Sequence, residues 1–155
     1  MYQDTESRAG ALALVAPPHP VYGGNIDNHV VHAIVTAQTA AQRATLAFNF
    51  RGTGASEGSP SADVAQAAAD YVDVARAIEG RAPRWLSGYS FGSCAALLAA
   101  VELQAEHVLL VAPPLGMLDP ELLRRFSGRI AAVVGEDDDY CPVDDLRVLM
   151  ARATN

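Results

Sequence analysis

The sequence predicts an α/β protein built on a doubly wound, mostly parallel sheet of five strands. Short apolar runs rich in β-formers alternate along the chain with longer segments of helical period, which is the pattern of βαβ units. Proline or glycine follows four of the five apolar runs within two residues, as expected where strands hand over to loops. No internal repeat or low-complexity tract competes with this reading.

In order, the first strand is expected at Ala11–Ala16, closed by Pro17-Pro18 and Pro20, and a helix at Asn28–Gln42 follows. A second strand, Thr45–Phe50, runs into Gly52, Gly54 and Gly58 and then a helix at Ala62–Ile78. The third, Arg84–Gly88, leads straight into a helix at Phe91–Glu102. The fourth, His107–Ala112, ends at Pro113-Pro114 and precedes a short helix at Pro120–Arg125. The fifth, Arg129–Val134, ends at Gly135, and a last helix starts at Val143. Because helical segments separate all five, the strands should be covered on both faces.

The bulk numbers narrow the function classes. A chain of 155 residues, half of them apolar, is the size of one domain, taken as 1–155. Eleven basic residues against 18 acidic give a net charge of −7 with no basic stripe, which argues against nucleic acid as a partner. The longest apolar stretch, Cys94–Val101, is far short of the roughly 20 residues a membrane span needs, and the N-terminus has no signal-peptide design. A cytoplasmic protein without a membrane partner is therefore expected. Cys94 and Cys141 lack the spacing of a zinc site and are too few for a disulfide framework, so no metal or cofactor is expected.

In open parallel sheets, reactive side chains collect in loops at the carboxyl ends of strands. One such loop holds Gly88-Tyr89-Ser90-Phe91-Gly92, a G-x-S-x-G sequence between a strand and a small apolar helix. A serine at so sharp a turn needs glycines at both flanks, projects its Oγ at the top of the sheet, and has the Phe91 amide beside it to stabilise an oxyanion. The bland alternative is a glycine-rich turn with an incidental serine. A second oxyanion donor is expected from the loop after the first strand, Pro18–Gly24. Pro20 has no N–H, so Val21 is the first choice and Tyr22 the second, with Gly23 and Gly24 letting the backbone fold back. After the fifth strand, Asp138 could orient an imidazole; it is favoured over its two aspartate neighbours by its place between Gly135 and Pro142, the alternative being a solvated acidic loop. Gly52–Gly58 fails as a dinucleotide fingerprint, since Glu57 stands where the third glycine belongs and a loop follows.

These residues together resemble the α/β-hydrolase superfamily, and more closely its small, lidless, dienelactone-hydrolase-like or carboxylesterase-like members. The resemblance rests on His19–Gly24, Phe48–Gly58, Gly88–Gly92, Val111–Pro114 and Gly135–Pro142, in family order. It implies Ser90 as nucleophile, Asp138 as triad acid, the Phe91 amide and the His19–Gly24 loop as oxyanion hole, and a small-molecule acyl substrate. It also implies an incomplete core lacking the family's first two strands and its last, with a strand order like 2-1-3-4-5. Family members carry the catalytic histidine near the C-terminus, whereas none of His19, His29, His32 and His107 follows Asp138. His107 opens its strand, roughly 13 Å from the catalytic edge. His29 and His32 read as helix-surface residues, and His19 reads as a shaper of the oxyanion loop, with a role as base the lesser alternative. The base is expected from a further C-terminal segment, or from a homo-oligomer or partner chain at the exposed sheet edge Arg129–Val134. The reading from another class is a catalytically silent module of the same fold used for binding or assembly.

Overall fold

A computed structural model describes residues 11–78 and 82–151. The expected lack of the family's first two strands concerns residues 1–10, which lie outside the described residues. Strands β1 (Leu12–Ala16), β2 (Ala44–Ala47), β3 (Pro83–Tyr89), β4 (His107–Val111) and β5 (Arg129–Val133) form one sheet in the order β2-β1-β3-β4-β5. All four pairings are parallel. This is the doubly wound sheet that the alternation of elements predicts, with helices α1 (His29–Ala40), α2 (Val64–Ala77), α3 (Phe91–Leu103), α4 (Pro120–Arg125) and α5 (Val143–Ala151).

The helices divide unequally between the faces. On one face α1 packs Val31 and Ile34 against Val15. On the other, α2 and α3 cover the sheet through an apolar cluster running from Leu14, Leu86 and Leu110 to Tyr71 and Leu97, with Leu123 of α4 and Met150 of α5 joining it. Helix α3 is apolar all round, as a helix wedged into a core must be, and nine of its 13 residues are buried. On the α1 face the covering stops short of the β5 edge: Leu109 and Val111 pair with Ala131 and Val133, and Val133 is 57% exposed.

Register brings the site together. Ala16 pairs with Gly88, Tyr89 with Val111, and Val111 with Val133, so the loops after four strands open at one edge. Asn28, Asp63 and Asp119 cap their helices by accepting from Val30, Ala65 and Glu121, which accounts for the first turns of α1, α2 and α4.

Strand β2 is shorter than the sequence suggests, ending at Ala47 rather than Phe50. Its partner β1 runs out at Pro17-Pro18, which offer no N–H to a ladder. Phe48 and Phe50 then both turn inward, edge-on to each other at 5.5 Å, with Phe48 4.9 Å from Tyr71 and Phe50 5.8 Å from Phe91. The Tyr71 hydroxyl donates to Leu14 O at 2.6 Å and accepts from Ser87 N at 3.1 Å, joining α2 to the two central strands. Burial holds this phenol well above its ordinary pKa.

Candidate active site

Ser90 sits between β3 and α3 with φ 53° and ψ −122°, a conformation that costs a non-glycine residue roughly 1–3 kcal/mol. Neighbouring bonds over-determine it. Its N–H donates to Val111 O at 2.8 Å, and its carbonyl accepts from Ser93 N at 2.8 Å. The buried Ser93 hydroxyl bridges α3 to both strands, lying 2.7 Å from Gly88 O and 3.0 Å from Val111 O and accepting from Val111 N at 3.1 Å. Sequence reasoning passed over Ser93; a small polar residue directly after the turn, in an otherwise apolar helix, was the available signal.

The flanking glycines are required by contact. A Cβ on Gly88 would lie 2.1 Å from Gly92 O, and one on Gly92 would lie 2.3 Å from Pro17 O. The close approach lets β1, β3 and α3 meet at the turn. At the other side of the cleft, Gly24 passes within 2.4 Å (as Cβ) of Pro18 O, and Gly23 takes φ 80°, folding the loop back as its two glycines suggest.

Two expected donors are engaged elsewhere. Pro20–Tyr22 form a short 3-10 helix capped by His19, in which the Val21 amide donates to His19 Nδ1 at 3.3 Å and the Tyr22 amide to His19 O at 3.2 Å. Both side chains project outward, Val21 52% and Tyr22 85% exposed. Among the described residues, no partner accepts from the His19 amide or from the Phe91 amide at the start of α3. The signal for His19 stood in the sequence: in Pro17-Pro18-His19-Pro20 it alone carries an N–H.

The His19 ring lies against Phe91 at 4.5 Å and Tyr22 at 4.6 Å, and burial lowers its pKa. Because Nδ1 accepts from Val21, the neutral ring carries its proton on Nε2. His29 and His32 are exposed on α1. His107 stacks on Trp85 at 3.7 Å, at the far end of β4 from Val111, and Arg43 lies over that indole at 3.6 Å.

Asp138 is half-buried where Asp137 and Asp139 are exposed. Its Oδ1 accepts from the Tyr140 and Cys141 amides, both at 2.9 Å. The loop is tied to the β4 loop through Leu115 N, which donates to Tyr140 O at 2.9 Å. Cys94 and Cys141 are free and buried, and burial pushes their thiols up to about 12 and about 11. A cleft of about 510 Å³ lies over Ser90 and Phe91, walled by His19 and Tyr22 on one side and Pro114, Met117 and Tyr140 on the other. Met117 and Tyr140 carried no sequence signal for this position.

A parallel α/β sheet with a strained serine between two close glycines, next to a free helix-start amide, is the arrangement of the alpha/beta hydrolase class. The chain belongs to the alpha/beta hydrolase family, whose model matches residues 22–153. It is similar to an alpha-beta serine hydrolase homologue from Coxiella burnetii, at 26% identity and TM-score 0.83, covering 94% of this chain and 71% of that one. It is also similar to a serine hydrolase without a lid from Xanthomonas campestris, at 27% identity and TM-score 0.75, covering 95% and 67%. An uncharacterized protein of Rickettsia prowazekii is 28% identical over 99% of this chain and 68% of its own length. Among the described residues no helix is long and apolar enough to cross a membrane.

Proposed function

We propose that the protein is a serine hydrolase acting on a carboxylic ester or related acyl compound. The observation that carries this is the backbone of Ser90, held at φ 53° and ψ −122° by bonds to Val111 and Ser93. Strain of this kind persists only where surrounding structure enforces it, and the residue so held lines the cleft. Ser90 Oγ adds to the substrate carbonyl, and the Phe91 and His19 amides take the negative charge on the carbonyl oxygen. The leaving alkoxide departs with the proton that the serine gave up, and water then frees the acyl group. His19 replaces Val21 and Tyr22 as the second donor because its amide is the free one.

Asp138, pinned by two loop amides, is the group to orient an imidazole base. Among the described residues His19 is the sole imidazole lining the cleft, and its acceptor nitrogen already takes the Val21 amide. This favours, as a second reading, a binding module of the same fold with only the residual acceleration of an oxyanion site, roughly 10³–10⁴ over water.

A fluorophosphonate serine probe and a short-chain activated ester separate these readings. The proposal requires Ser90-dependent labelling, and it is lost if the wild-type chain labels no faster than Ser90→Ala. Labelling without turnover on the ester selects the second reading.

A further inference from the structure

We infer that the cleft is built for uncharged esters bearing an aryl group and discriminates against substrates that carry a carboxylate. This rests on the reading of Ser90 as nucleophile and adds a substrate class to it.

Two independent features carry the inference. The first is apolar. Seven large apolar side chains are exposed among the described residues, and three of them, Tyr22 at 85%, Met117 at 38% and Tyr140 at 79%, line this one cleft. A single exposed apolar residue means little, but three converging on a concavity of about 510 Å³ mark a surface kept free for an apolar ligand. Tyr22 belongs to the loop after β1 and Tyr140 to the loop after β5, strands on either side of the β3 that leads into Phe91, and all three residues line the cleft. An aryl ring entering there gains tilted or offset aromatic contacts, and Met117 adapts to its outline.

The second feature is charge. Among the described residues no arginine lines the cleft. Arg51 is committed to Asp70, Arg84 to Glu106, Arg124 to Glu121 and Arg147 to Asp144, while Arg43 lies over Trp85. On the Tyr140 side the loop carries Glu136, Asp137, Asp138 and Asp139 in succession. A substrate carboxylate entering beside Tyr140 approaches the loop that carries this acidic run, with no arginine among the described lining residues to receive it. Four like charges acting over about one Debye length, roughly 8 Å at physiological salt, in a mostly aqueous dielectric lower the association of a single negative charge by about fivefold, and the test below measures that factor.

The test uses the 155-residue chain and three fluorophosphonate probes of equal reach, ending in a phenyl ring, an alkyl group or a benzoate. Labelling rates at Ser90 are read by intact mass. The phenyl probe is expected to label fastest, about fivefold or more ahead of the benzoate probe, with the gap narrowing as salt rises. Glu136→Gln with Asp139→Asn should shrink the benzoate penalty, and Tyr22→Ala with Tyr140→Ala should bring phenyl and alkyl rates together. All four side chains are on exposed residues, so these variants keep the fold, which circular dichroism verifies. Equal phenyl and benzoate rates, or a phenyl preference indifferent to both tyrosines, overturn the inference while leaving Ser90 as nucleophile. Absence of Ser90-dependent labelling by any probe overturns the nucleophile reading itself, and the substrate class with it.

Discussion

Replacing Gly92 by alanine tests the physical basis of the site directly. The added Cβ would stand 2.3 Å from Pro17 O and 2.9 Å from Ala16 O, against an ordinary C···O contact of about 3.3 Å or more. Roughly 1 Å must therefore open between α3 and the end of β1. Neither side yields cheaply: β1 is hydrogen-bonded on both flanks and buried at every residue, and the obstructing atoms are backbone. Overpacking of this kind costs about 1–3 kcal/mol and more where backbone must move, while alanine recovers up to about 1 kcal/mol of helix propensity. With backbone on both sides of the clash the cost lies at the top of that range or above it, so a net loss of about 2 kcal/mol or more follows, a fall in Tm of at least roughly 4–8 °C at this chain length. Thermal and urea unfolding by circular dichroism measure it, with Gly116→Ala, where a Cβ meets nothing within 4 Å, as the control. Because the displacement is at the turn, labelling of Ser90 should slow together with the loss of stability. A Gly92→Ala protein as stable as the Gly116→Ala control, with undiminished labelling, would refute the claim that close backbone approach fixes the serine.

Tyr71→Phe removes the hydroxyl that serves Leu14 O and Ser87 N between the central strands, so two buried backbone groups lose a partner. A destabilisation of about 1–3 kcal/mol is expected in urea titrations, and a change within error would show that those groups are satisfied by the ladder alone. The His19 ring, its pKa lowered by burial, should titrate below 6.5 when followed by NMR. Since the unfolded ring takes its proton first as pH falls, the contribution of neutral His19 is present above about 6.5 and declines below it. The Val21 amide signal should shift as the ring protonates and the cap is lost, and a His19 pKa at or above the ordinary value would contradict the assigned cap.

The sequence alone determined the sheet and the turn. Alternation of apolar strand runs with helical segments is a local property of the chain, and it sufficed to place five strands and five helices, whereas the 2-1-3-4-5 winding came with the resemblance to the α/β-hydrolase superfamily. The G-x-S-x-G sequence between β3 and α3 sufficed to single out Ser90, because glycine at both flanks is a local consequence of a crowded turn. What tertiary structure decided concerns hydrogen-bond partners and neighbours distant in the chain. Val21 and Tyr22 look like free donors in sequence and lose that role once the chain winds into a 3-10 turn around His19. Thr45–Phe50 reads as one strand, yet pairing ends at Ala47 because the neighbouring strand β1, not the segment itself, supplies the ladder. Met117 and Tyr140 belong to loops after different strands and share a cleft with Ser90 solely because parallel register ends those strands at one edge. Periodicity and turn chemistry are written residue by residue, whereas which amide remains free and which side chains face one another depend on packing between segments that no local pattern encodes.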